Sequence, residues 1–161
     1  WAHVFKVNVS GMVITSELIA KHMKIKNYGK IINIASIAAR QGSFDLPHYS
    51  ASKAAVVSWT QSNALQLARY NINVNAICPG LLWTPMWEEI SRKRARFGTP
   101  DIVGNHLSGR NLFDKIVEET IPMKKEQTPE DIGHLAAFLS SDEAHNITGQ
   151  AVNVDGGRRM N

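Results

Sequence analysis

The sequence predicts an α/β fold in which a parallel sheet carries helices on both faces. Three short, apolar, β-branched segments alternate with long stretches of helical periodicity. The connections between those segments are too long for hairpins, so they read as crossovers between parallel strands. Size agrees: 161 residues, 43% hydrophobic and 20% charged, suit a single globular domain with a core of its own.

Residues 1–26 carry helical spacing in Val13, Ile14, Leu18, Ile19 and Met23, and Asn27-Tyr28-Gly29 supplies the stop. Residues 30–35 (K-I-I-N-I-A) are apolar on both faces, as a parallel strand covered by helices must be. A loop through Gln41-Gly42-Ser43 leads to a helix over 47–70. Residues 73–78 (N-V-N-A-I-C) predict a second strand, closed by Pro79-Gly80. Between 81 and 122 the periodicity weakens while tryptophan, methionine, glycine and basic residues gather, which suggests a helical lid. Thr128-Pro129-Glu130-Asp131 is a helix start, with threonine as N-cap, proline at the first helical position and acids in the first turn; that helix should end near Ser140. Residues 150–154 (Q-A-V-N-V) predict the last strand, ended by Asp155-Gly156-Gly157.

Composition narrows the function classes. No apolar run reaches membrane-span length and no secretory leader opens the chain, so a cytoplasmic protein without a membrane partner is expected. Cys78 is the single cysteine, which precludes an intrachain disulfide, and its apolar surroundings suit a buried thiol. The sequons at Asn8 and Asn146 are then chance matches. Six scattered histidines with no H-E-x-x-H or C-x-x-C leave no metal site expected. A net charge of +4 permits nucleic-acid binding, but no motif accompanies it and none is expected. Asp142-Glu143-Ala144-His145 spells a helicase-like box without a P-loop and reads as a turn. A chain that begins at Trp1 inside a helical pattern looks like part of a longer protein.

The chemistry concentrates in Y-S-A-S-K. Tyr49 and Lys53 stand at i and i+4 on the helix over 47–70, so they share a face, and a neighbouring ammonium favours the phenolate. Tyrosine then becomes a candidate general acid/base. Ser36, thirteen residues earlier, ends an apolar strand and can donate a hydrogen bond to the same substrate oxygen. Ser36, Pro79-Gly80 and Asp155-Gly156 all follow strand ends, where open α/β sheets bind ligands. Tyrosine and lysine at this spacing also occur on ordinary surface helices, and the pair alone would not decide.

The motifs together do. V-N-V-S-G with Asn8, I-N-I-A-S with Ser36, Y-S-A-S-K, P-G-L-L-W-T from Pro79 to Thr84, and T-G-Q-A-V-N-V-D-G-G ending at Gly157 resemble the classical short-chain dehydrogenase/reductases in order and spacing, across essentially the whole chain. The resemblance implies the C-terminal part of a doubly wound, parallel-sheet Rossmann-like fold. It implies a tetrad of Asn8, Ser36, Tyr49 and Lys53: Tyr49 exchanges the proton, Lys53 lowers its pKa and holds the nicotinamide ribose, Ser36 holds the substrate oxygen, and Asn8 positions a water linking Lys53 to solvent. NAD or NADP is the implied cofactor, with Tyr49, Lys53, Pro79, Gly80, Leu82 and Thr84 binding it. The glycine-rich dinucleotide loop of that family has no counterpart, since no G-x-G-x-x-G occurs. The N-terminal half of the fold is therefore expected to be missing from this chain, which should bind the cofactor poorly in isolation.

In the lid, T-P-M-W is similar to reductases of acetoin and diacetyl and to some polyol dehydrogenases. Trp83, Met86 and Trp87 would wall a small alcohol or ketone substrate, or simply pack the lid; Ser43 and His48 are further substrate candidates. Arg92, Lys93, Arg94 and Arg96 could meet a phosphorylated sugar or an acyl-carrier partner, but read first as a solvated helix face. A 3-oxoacyl-acyl-carrier-protein reductase and a noncatalytic assembly module are the alternatives. Alanines at 51–55, Ala64 and Ala68 would let helices of neighbouring subunits approach, and the resemblance implies a homotetramer or homodimer.

Overall fold

A computed structural model describes the backbone of residues 1–97 and 109–160, and the side chains within those ranges except at 95–97. The chain is α/β, with three parallel strands in the order β1 (Gly29–Ile34), β2 (Ile72–Pro79), β3 (Ala151–Val154). Ile31 stands opposite Val74, and Pro79 opposite Val154. Each crossover runs through helix, as parallel pairing requires.

Alternation along each strand feeds two cores. Ile31 of β1 with Ile72 and Val74 of β2 meets Ala20, Ala64 and Leu67 from α2 (Met12–Lys26) and α3 (Pro47–Leu67). Ile32 and Ile77 turn the other way, to Ile132, Leu135 and Leu139 of α6 (Pro129–Ser140). The central strand is buried from Ile72 through Cys78, which is why it is apolar on both faces. Its asparagines are satisfied locally. Asn75 donates to the Ile147 carbonyl at 2.8 Å and accepts from the Gln150 N–H at 3.0 Å, and Asn73 donates to the His145 carbonyl at 2.8 Å. Two polar residues in an apolar strand thus fasten the last crossover to the sheet.

The first helix departs from expectation. It opens as a single turn, α1 (Ala2–Phe5), widens into a π-helical stretch Lys6–Gly11 that carries Asn8, and continues as α2. Its core face is also different: Ser16 and Ala20 are buried, while Ile14, Leu18 and Ile19 are exposed. Small residues let α2 approach the sheet and α3 closely, so Ile14, Leu18 and Ile19 fall on the outside while Met12 and Met23 pack at the edges of the core. Asn27, at φ 51, ends the helix as the stop signal predicts.

Of the segment expected as a lid, the described parts are α4 (Pro85–Phe97) and α5 (Gly109–Thr120); residues 98–108, and the side chain of Arg96, lie outside the described set. Phe113, fully buried, holds the two together with Leu81, Leu112, Ile116, Val117 and Ile121. Burying such a ring contributes about 1.5–3 kcal/mol. The Asp142–Ala144 segment is a single 3-10 turn. No helix among the described residues is long and apolar enough to cross a membrane.

Candidate active site

The site begins where β1 ends. Ser36 is extended (φ −173) and its Oγ accepts the Ala38 N–H at 3.1 Å, which starts the 3-10 turn Ile37–Ala39 and leaves the hydroxyl proton for another acceptor. That hydroxyl faces the Tyr49 phenol and favours its ionisation, yet burial outweighs it and holds the phenol above its ordinary value. Lys53 lies one turn further along α3, its ammonium 5.7 Å from the centre of the Tyr49 ring. Its Nζ donates to the Ile34 carbonyl at 2.9 Å, and burial lowers its pKa. The expected lysine-driven fall in the tyrosine pKa is therefore corrected: Lys53 reaches past the ring to the end of β1, and desolvation dominates the phenol.

Asn8 joins this cluster from the π-helical turn. Its Nδ2 donates to Ser52 Oγ at 3.0 Å, and Ser52 donates on to the Tyr49 carbonyl at 2.7 Å. A wider helical turn displaces the side chain from its α-helical azimuth, and here the displaced residue is the one that reaches α3. Arg40 was not anticipated. It donates from Nε to Asn153 at 3.3 Å and from Nη2 to the Ala151 carbonyl, so the loop after Ser36 is tied to β3. Beneath them Cys78 is fully buried; burial pushes its thiol up, against the opposing charges of Arg40 and Lys53.

Beyond β2, Gly80 donates to the Val154 carbonyl at 2.9 Å. A Cβ there would stand 2.2 Å from Gln127 Oε1 and 2.7 Å from Asp155 Cα. The glycine is thus required by closure of the turn on its own protein. Gln127, also unanticipated, clamps the same segment: its Oε1 accepts the Leu81 N–H and its own N–H donates to the Leu81 carbonyl, both at 2.8 Å. Leu82 and Thr84 follow, half-buried, with Thr84 Oγ1 accepting the Trp87 N–H at 3.4 Å at the start of α4.

The substrate candidates divide. Trp83 and Trp87 both meet Phe113 edge-on, at 5.2 and 5.3 Å, so they pack the lid, while Met86 is exposed. His48 turns to Trp1, ring to ring at 6.0 Å, instead of joining Ser36 and Lys53. Ser43 donates to Asp45 at 2.8 Å and accepts the Leu46 N–H at 3.1 Å, shaping the entry to α3. Arg92 and Lys93 pair with Glu89 on the solvent face, whereas Arg94 forks Asp45 at 2.9 and 2.6 Å. Burial pushes the Asp45 carboxyl up, but Arg94 and Ser43 outweigh it and leave it below its ordinary value. Ala64, expected at a subunit contact, is in the core.

These donors suit a nicotinamide ribose and carboxamide. Lys53 has ammonium hydrogens beyond the one given to Ile34, and the Thr84 hydroxyl proton is not committed to Trp87. Among the described residues no group of three or more metal-ligating side chains gathers.

A family model described as enoyl-(acyl carrier protein) reductase matches residues 1–159. The chain is 37% identical over 163 residues to galactitol 2-dehydrogenase of Agrobacterium fabrum, which covers 99% of this chain and 60% of that protein. It is 36% identical over 155 residues to the (S)-acetoin-forming diacetyl reductase of Staphylococcus epidermidis, covering 96% of this chain and 58% of that one. The crystal structure of NAD+-bound xylitol dehydrogenase superposes with a TM-score of 0.86 at 31% identity, over 97% of this chain and 59% of the other. The chain thus spans 58 to 60% of the length of these relatives.

Proposed function

Since this chain belongs to the short-chain dehydrogenase/reductase family, we propose that it carries the proton-transfer centre of an NAD(P)-dependent oxidoreductase that interconverts a small secondary alcohol, of the diol or polyol type, with its ketone. The observation that carries the reading is the meeting of the Ser36 hydroxyl, the Tyr49 phenol and the Lys53 ammonium beyond the ends of β1 and β2. NAD or NADP, when bound, supplies or accepts the hydride.

The chain's own residues manage the rest. Tyr49 gives its proton to the substrate oxygen in reduction and takes it back in oxidation, while the Ser36 hydroxyl donates a hydrogen bond to that oxygen and fixes the carbonyl carbon in place. Lys53 would hold the ribose, and it lends positive charge to the phenolate as it forms. Asn8, through Ser52, steadies the first turn of α3, and in this reading it would position a water that returns protons to Lys53. Pro79, Gly80 and Leu82 would line the nicotinamide, with Thr84 available to its carboxamide or phosphates. A second reading, reduction of a 3-oxoacyl group on an acyl carrier protein, is favoured by the acyl-carrier description of the matching family model. A subunit partner of the same kind is part of the proposal, through the exposed apolar face of α2.

The test is to follow reduced nicotinamide by its absorbance with the full-length protein and a panel of diols, polyols, their ketones and 3-oxoacyl thioesters. Tyr49→Phe should lose about 10²–10⁴-fold in kcat, the usual contribution of a general acid/base, while cofactor binding persists. A Tyr49→Phe protein as fast as the parent on every substrate overturns the mechanism.

A further inference from the structure

The turn after β3 carries a guanidinium that proton transfer at Tyr49 does not use. Gly156 and Gly157, at φ 63 and 85, reverse the chain there. The Asp155 carboxylate is consumed inside the turn, accepting the Gly157 N–H at 3.0 Å and the Arg159 N–H at 2.7 Å. The turn delivers Arg158 inward, so that its Nη1 is buried and has no hydrogen-bond partner among the described residues. Burial lowers the guanidinium to about 10, the charges of Arg159 and Arg94 push the same way, and among the described residues Asp155 opposes them. Arg158 remains charged at neutral pH, half-buried, beside two like charges. An unpaired charge so placed is costly until an anion completes it.

Arg94 marks where that anion would lie. It sits on α4 but turns away from the solvent-facing pairs of Arg92 and Lys93, crosses the Trp87 ring at 5.7 Å and forks Asp45. Asp45 belongs to the loop that runs from Ser36 to the helix of Tyr49. The segments leaving β1, β2 and β3 therefore meet at one rim, with Asp45, Arg94 and Arg158 respectively. Among the described residues, three guanidiniums there face two carboxylates, Asp45 and Asp155, each already engaged.

We propose that Arg158, backed by Arg94, forms an oxyanion subsite at the rim of the candidate active site and takes a carboxylate or phosphate group of the substrate. The planar fork suits either group, both of which offer paired oxygens. The role of this anion as part of a substrate rests on the dehydrogenase reading; the anion site itself does not.

Binding is read in the full-length protein by tryptophan fluorescence, since Arg94 lies over Trp87, with inorganic phosphate and acetate as probes and chloride at equal ionic strength as control. At least one oxyanion should give saturable binding that chloride does not. Arg158→Met should weaken it about 10- to 100-fold, the range for a lost charged hydrogen bond, Arg158→Lys should weaken it less, and Arg92→Met should bind as the parent does. Saturation by phosphate alone or by acetate alone identifies the group. Non-saturable quenching, or Arg158→Met binding both anions like the parent while circular dichroism shows it folded, overturns the proposal. The substrate arm is separate: with hydroxy acids or polyol phosphates, Arg158→Met should raise KM and leave kcat within about twofold. Saturable phosphate binding in a protein that oxidises no alcohol and reduces no ketone defeats the dehydrogenase reading and leaves the anion site standing. Turnover without saturable binding does the reverse.

Discussion

At Tyr49, burial and one hydroxyl compete for a proton, and burial prevails. A phenol held above its ordinary value is protonated throughout the neutral range, which is the form carbonyl reduction requires. Reduction should therefore run at a flat kcat/KM across neutral pH. Alcohol oxidation needs the phenolate and should keep climbing with pH beyond the usual tyrosine value of about 10. Initial rates in both directions from about pH 6 to about pH 11 check this, and an oxidation plateau near neutrality would show that the phenol is ionised more readily than its burial implies. The stability sign agrees. A group whose folded pKa is raised contributes fully below its unfolded value, and that contribution is lost as pH rises through the folded value. As candidates, Asn8, Ser36, Tyr49 and Lys53 could be picked from the sequence because each stands in a short motif of fixed spacing. Gln127, Arg40 and Arg158 could not: in a polar loop, residue type does not reveal which side chain turns inward.

Elements were legible in proportion to how local their determinants are. The start of α6 is written entirely within four residues, and the structure has both halves of its capping box: Thr128 Oγ1 accepts the Asp131 N–H at 3.3 Å, and Asp131 accepts the Thr128 N–H at 2.8 Å. Thr128→Ala should cost about 1 kcal/mol, read as a lower urea midpoint with an unchanged m-value, and Thr128→Ser should recover most of it. A loss near zero would mean that α6 is fixed by Leu139 and its neighbours alone. The π-helical turn at Asn8 depends instead on contacts with α3, far away in sequence, so no local pattern announces it. The same holds for α2. Its periodicity revealed a helix but not its inward face, because the choice of Ser16 and Ala20 for the core depends on how closely α3 and the sheet approach.

Across the molecule, that inverted helix has a consequence. Ile14, Leu18 and Ile25 of α2 are exposed by 57, 56 and 84%, and with Lys21 they stand at successive steps of four, three and four residues, the spacing of a coiled-coil seam. Such a row on one helix is costly to leave in water, and a second copy of the protein covers it with complementary geometry, since a two-fold pairing sets the same row against itself. The alanines of α3 cannot supply that contact alone, because Ala64 is already in the core. Leu18→Lys should therefore lower the oligomeric state of the full-length protein in sedimentation velocity, as like charges meet across the two-fold axis. Lys21→Ala, which removes a charge one turn along the same row, should hold or strengthen assembly. If Leu18→Lys sediments as the parent does at every concentration, α2 is not the subunit contact, and the exposed row must be covered by another part of the full-length protein.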